Sequence, residues 1–174
     1  MEFRTKVDIP RATFSIAPCE RMLFVGSCFA DNMGRKFAED KFRAVVNPFG
    51  VMYNPASILH TVERYEGEAP RVAVLTLGTN HIYILRETGE IVDNCNKRPQ
   101  RLFEERSLTA DECAGYLMRA VRHLQSRYAE VKVIVTVSPI RYAKYGYHGS
   151  MLSKATLLLA ADMLEKQMPD VVTY

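Results

Sequence analysis

The sequence predicts an α/β domain in which a parallel β-sheet is covered by helices on both faces. Three observations carry this expectation. The stretches Arg21 to Val25, Arg71 to Leu77 and Lys132 to Val137 hold short, nearly continuous apolar runs, the pattern of strands buried on both faces. Amphipathic stretches of about 10 to 20 residues separate them, and that alternation builds a parallel sheet through helical crossovers. The chain has 174 residues, 48% hydrophobic and 25% charged. That is enough for a single domain, residues 1–174, with a sizeable core.

Taken in order, residues 1–20 read as an irregular or edge-strand lead-in, because Pro10 and Pro18 break any long element. The first strand, Arg21 to Val25, runs into Gly26, which permits a sharp turn and close backbone approach. A helix from about Phe29 to Asp40 follows, with Phe29, Met33, Phe37 and Ala38 on one face. Ala44 to Val46 is a short strand, and Asn47 to Pro55 a loop punctuated by two Asn-Pro steps and a glycine. Asn54 suits an N-cap with Pro55 at the first helical position, and that helix runs to about Tyr65. Beyond the strand ending at Leu77, Ile82 to Leu85 and Ile91 to Asp93 flank Glu87-Thr88-Gly89-Glu90 as a β-hairpin insertion. Residues 94–107 read as a polar, irregular loop. Thr109-Ala110-Asp111-Glu112 is a capping-box pattern opening a helix whose apolar stripe includes Cys113, Leu117, Val121 and Leu124. The strand Lys132 to Val137 ends in Ser138-Pro139. The loop Arg141 to Ser150 holds Tyr142, Tyr145, Tyr147 and, between two glycines, His148. A last helix, about Leu152 to Met168, stops at Pro169, and Val171 to Tyr174 begins another strand.

Composition narrows the function. The net charge is +3, from 23 basic and 20 acidic residues scattered along the chain, too little to point to nucleic acid. No apolar run approaches the roughly 20 residues of a membrane span, and the N-terminus lacks the apolar core of a signal peptide. Cys19, Cys28, Cys95 and Cys113 are widely spaced with no C-x-x-C pair. Neither a zinc site nor a disulfide framework is indicated, and a reducing cytoplasm is the expected compartment. No cofactor or metal is expected.

The chemistry gathers at one rim. Ser27 and Cys28 sit at a strand C-terminus and a helix N-terminus together, where free N–H groups and the positive helix end stabilise an anion or a thiolate. In open α/β sheets ligands collect at that edge. Parallel strands would bring Gly78-Thr79-Asn80 and Ser138-Pro139 to the same edge. Ser27 could equally serve as an N-cap and Cys28 as a small buried apolar residue. Gly78-Thr79-Asn80 could be no more than a strand-ending turn, and His148 a solvated loop histidine. His81 reads as a packing or surface residue, and His60 and His123 as surface or interface residues of helices. Ser153 and Lys154 are explained by capping and a solvated charge, or by a grip on an anionic substrate group. The three tyrosines could form a sugar-binding platform or simply cover their loop.

The string Gly26-Ser27-Cys28-Phe29-Ala30 resembles the signature of the GSCFA domain family, similar to a branch of the SGNH/GDSL hydrolases. The resemblance continues through Asn47-Pro48-Phe49-Gly50, Tyr53-Asn54-Pro55, Asn94-Cys95 with Lys97, Ser138-Pro139, and His148-Gly149 followed by Ser153-Lys154-Ala155-Thr156-Leu157. It implies a flavodoxin-like three-layer α/β/α domain that cleaves or transfers an acyl ester, with a small-molecule or saccharide ester as substrate. The nucleophile position of the SGNH Gly-Asp-Ser block falls on Cys28, with Ser27 in the place of the aspartate. Nucleophilicity favours Cys28 over Ser27. Gly78-x-Asn80 matches the block whose glycine N–H and asparagine amide stabilise the oxyanion. The motifs also imply substrate contacts from Asn47, Tyr53, Asn54, Ser138 and Lys154. The superfamily's Asp-x-x-His base block has no match, which leaves His148 as the stand-in base or places the base beyond Tyr174 in a longer chain. The alternative is a binding module that keeps the pocket and lacks the base.

Overall fold

The computed structural model describes residue 3 and residues 11–174; the expectation for the lead-in lies outside the described residues up to residue 10. Among the described residues, eight strands and four α-helices run in the order β1 (Arg21–Gly26), α1 (Cys28–Glu39), β2 (Arg43–Val46), α2 (Pro55–Arg64), β3 (Val72–Leu77), β4 (His81–Leu85), β5 (Ile91–Val92), β6 (Phe103–Ser107), α3 (Ala110–Arg127), β7 (Lys132–Val137), α4 (Gly146–Gln167) and β8 (Val172–Thr173), all but β6 read from the sequence.

The main sheet has the order β2-β1-β3-β7-β8, and every pair in it is parallel. This is the strand order of flavodoxin-like sheets, with the direction of winding reversed between β1 and β3. All six residues of β3 are buried, as its continuous apolar run predicts for a central strand. One face packs on α2, α3 and α4: Leu23, Val25, Leu75 and Val135 meet Ile58, Leu117, Val121, Leu157 and Leu164 in one cluster. The other face carries α1, where Met22, Phe24 and Val74 pack with Ala30, Met33 and Phe37. Helices thus lie on both sides, the three-layer α/β/α arrangement. No helix among the described residues is long and apolar enough to cross a membrane.

Local signals explain most element ends. Asn54 caps α2 by accepting from the Ser57 N–H at 2.9 Å, with Pro55 at the first helical position. Thr109 and Glu112 close a reciprocal capping box on α3. Two expectations are corrected. The stretch 94–107 is not wholly irregular, because β6 pairs antiparallel with β4, which also pairs with β5. Only Phe103 of this strand is buried. A charged edge strand of this kind resists further pairing and shows no apolar periodicity. The second concerns His148, which lies in the first turn of α4 and not in a loop. That helix begins at Gly146, φ 63°, with no side-chain cap, so the usual start signal is missing.

Candidate active site

The junction of β1 and α1 separates two adjacent residues into different roles. Gly26 has φ 141°, and a Cβ there would collide with the Thr76 backbone; only glycine fits. Its N–H donates to Asn47 Oδ1 at 2.9 Å, so Asn47 braces the turn. Ser27 is 2% exposed. Its N–H donates to the Thr76 carbonyl at 3.1 Å and lies 2.8 Å from Thr76 Oγ1. Its hydroxyl pairs with Thr76 Oγ1 at 3.0 Å and accepts from the Phe29 N–H at 3.3 Å. Ser27 is the N-cap. Cys28, the next residue, is exposed on a cavity of about 490 Å³ walled also by Ser27, Phe29, Asn32, Ser138, Pro139 and Ile140. By contrast Cys113 is sealed in the core, where burial pushes its thiol up to about 12. The pair thus separates into a locked hydroxyl and an accessible thiol.

The end of β3 departs from the oxyanion arrangement that the resemblance implies. The N–H groups of Gly78 and Thr79 both donate to the Tyr53 carbonyl, at 2.8 and 2.9 Å. The Asn80 amide donates to the Leu108 carbonyl at 2.7 Å, and the Asn80 backbone N–H donates to Ser153 Oγ at 3.1 Å. The Gly78 N–H and one of the two Asn80 amide hydrogens are therefore committed within the fold. Gly78 matters for space instead, since a Cβ there would lie 2.7 Å from Tyr142 Oη and 2.9 Å from Tyr53 Cδ1. The two rings meet edge-on over it, with centroids 6.3 Å apart. Burial above all, then the charges of Tyr53 and Cys28, push the Tyr142 hydroxyl above the usual tyrosine value. Tyr142 thus holds its proton.

Lys154 is not a solvated charge at a helix start. It lies inside α4 at 6% exposure, donates to the Gly78 carbonyl and has Nζ 5.1 Å from the centre of the Tyr142 ring. Among the described residues no carboxylate lies within ion-pair distance of it, and burial pushes its pKa down. Asn54 is 7% exposed and occupied as a cap, whereas Tyr53 is open at 42%. Ser138 sits on the Cys28 cavity with its hydroxyl accepting from the Ile140 N–H at 3.3 Å.

His148 departs from its expected place in a rim loop, whereas His81 packs as expected. His148 is exposed in the first turn of α4 and does not line the Cys28 cavity. His81 stacks on Tyr145 with ring centroids 3.9 Å apart and shares a hydrogen bond with Thr79 Oγ1 at 2.7 Å. Burial holds its pKa below the usual histidine value, against the pull of Glu105. With Tyr53, Thr79, Tyr83, Tyr142 and Tyr145 it walls a cleft of about 190 Å³. His60 is paired with Asp93, Nδ1 to Oδ1 at 2.8 Å, and Arg64 holds the other carboxylate oxygen at 2.8 Å. The tyrosine-lined cleft is what the sequence reading underweighted. Its one sequence signal was the pair Tyr142 and Tyr145, three apart across a short 3₁₀ turn. Among the described residues no three His, Cys, Asp or Glu side chains are grouped to hold a metal ion.

The family model described as "GSCFA family" matches residues 21–71 and 67–174. No curated protein matches the chain, and no solved structure does.

Proposed function

The chain belongs to the GSCFA family, and from that premise we propose that it is a thiol-dependent acyl hydrolase or acyltransferase, with Cys28 as the nucleophile. The observation that carries this reading is the division of labour at the β1–α1 junction, where Ser27 is the buried cap and Cys28 opens onto the cavity. The sulfur attacks the ester carbonyl, the C–O bond to the alcohol breaks, and the departing alkoxide takes the proton that the thiol gives up. The product is an S-acyl cysteine. Water, or a second alcohol, then attacks the thioester and returns the proton to sulfur, giving an acid or a new ester. We assign two donors to the oxyanion. One is the Cys28 N–H, an orphan donor of the first turn of α1. The other is the Tyr142 hydroxyl, which keeps its proton and sits over Gly78. They take over the task of Gly78 and Asn80. The SGNH-like placement supports ester chemistry by analogy only.

The test is intact mass and peptide mapping after brief exposure to 4-nitrophenyl acetate. Cys19, also exposed, is the internal control for non-specific thiol acylation. Acetyl should appear on Cys28 at least about tenfold faster than on Cys19 and vanish in Cys28→Ala. Ser27→Ala should still be labelled. Tyr142→Phe should slow labelling by about a hundredfold or more, the lower end of what a lost oxyanion donor costs. Equal labelling of Cys19 and Cys28, or none at either, would overturn the reading and leave a binding module.

A further inference from the structure

The small antiparallel sheet holds a second concavity that acyl transfer does not use. A cavity of about 480 Å³ lies between β4, β6 and the loop after β5, walled by Tyr83, Lys97, Arg98, Gln100, Glu105 and Lys144. Three cations face one carboxylate, and that carboxylate is already engaged. Lys144 Nζ donates to Glu105 Oε2 at 2.6 Å. The hydroxyls of Tyr145 and Tyr83 donate to its Oε1 at 2.6 and 3.1 Å. Burial alone would raise the Glu105 pKa, but these bonds outweigh it and keep the group ionised. Lys97 and Arg98 have no carboxylate within ion-pair distance among the described residues.

The loop is also set in shape. Asn96 and Lys97 take consecutive left-handed conformations, φ 50° and 57°; asparagine adopts that region readily, whereas for lysine it costs energy that the surrounding turn must offset. The Arg98 N–H closes a turn on the Cys95 carbonyl at 2.9 Å, and the Asn96 N–H bonds Asn94 Oδ1 at 2.8 Å. The Arg98 guanidinium lies 5.7 Å from the centre of the Phe103 ring, a contact that orders its planar fork. A preformed fork, an unpaired ammonium and the Gln100 amide fit a tetrahedral or planar anion.

Position gives the pocket its role. Tyr83 belongs both to this cavity and to the tyrosine cleft containing Tyr53, His81 and Tyr142, and that cleft adjoins the β1–α1 junction, because Met52, next to Tyr53, donates its N–H to the Gly26 carbonyl at 2.9 Å. We propose that the pocket of Lys97, Arg98 and Lys144 is an anion subsite for the non-acyl part of the substrate. The preferred ester then carries a carboxylate, sulfate or phosphate on its alcohol portion, laid along the tyrosines from Cys28. This placement rests on the acyl reading; the anion site itself does not.

Calorimetric titration of the Cys28→Ala protein separates the two. The probes are trigalacturonate, its uncharged methyl ester, inorganic sulfate and inorganic phosphate. At least one anion should bind saturably and weaken with added salt, and the methyl ester should bind at least about tenfold more weakly than trigalacturonate or not at all. The double variant Lys97→Gln, Arg98→Gln changes only exposed side chains, and in it the dissociation constant for the bound anion should rise at least about tenfold. Circular dichroism of the variant confirms its fold. Saturable binding lost in the double variant, in a protein whose Cys28 takes up no acetyl, sustains the anion site and removes the acyl reading. No saturable binding by any of the three anions, or binding equal in the double variant, overturns the subsite.

Discussion

Lys154 is the residue whose environment costs the fold most plainly. An ammonium at 6% exposure with a backbone carbonyl and an aromatic face for company lacks the counter-charge that buried lysines usually find. Burial lowers its pKa, so the folded chain binds this proton less tightly than the unfolded chain does. Stability is therefore reduced at every pH below the lowered value. The penalty fades as pH rises from that value toward the unfolded lysine value of 10.5. Lys154→Met removes the charge and keeps the length of the side chain. Urea unfolding of both proteins should give a difference, variant minus wild type, that shrinks between pH 7 and pH 10.5; a difference independent of pH would refute the argument. At this scale the sequence told only part of the story. The order Ser27-Cys28 announced a cap and a nucleophile candidate, because both roles depend on neighbours in the chain. The commitments of Gly78 and Asn80 to Tyr53 and Leu108 did not show, because they depend on partners brought close only by folding.

Elements were legible wherever their ends are written in local chemistry. The capping box of α3 is the clearest instance. The Thr109 hydroxyl accepts from the Glu112 N–H at 3.2 Å, and the Glu112 carboxylate accepts from the Thr109 N–H at 2.8 Å. Those bonds, with help from Arg106 at 2.6 Å, hold the Glu112 carboxyl below its usual range. Thr109→Ala removes one of the two reciprocal bonds and should cost about 1 kcal/mol. For a chain of this size that is a fall of about 2–4 °C in Tm by calorimetry. No change in Tm would mean that Glu112 and Arg106 hold the helix start by themselves. The elements that escaped notice lack such marks. Strand β6 is charged along an edge, and α4 starts on Gly146 and Tyr147 with no cap. The α4 start mattered most, because it moved His148 from a loop at the rim to an exposed helical turn.

The molecule as a whole is asymmetric about its sheet, and that asymmetry predicts how it opens. On one face α2, α3 and α4 bury a continuous core reaching from Val62 to Leu164. On the other, α1 covers a smaller cluster around Phe24 and Val74, and β2 lies at the sheet edge with alternate residues exposed. Central β3 is bonded on both sides, by β1 and β7. Opening free energies scale with the apolar contact that must be broken, so segments at the thin face open without the rest. The amides of β3 and α3 should exchange with solvent only through global unfolding, while those of β2 and α1 exchange at least about tenfold faster through a smaller opening. Native-state hydrogen exchange at increasing sub-denaturing urea distinguishes the cases: the β2 and α1 rates should stay nearly flat while the β3 rates climb steeply. Cys28 stands at the start of α1, on the seam between the two regimes. Its backbone is fixed by the bonds from Ser27 to Thr76 on rigid β3, and its side chain faces the looser side. If Cys28 attacks as proposed above, this placement keeps its aim while the wall beside it yields. Identical exchange for α1 and β3 would remove that asymmetry and make the cavity as rigid as the core.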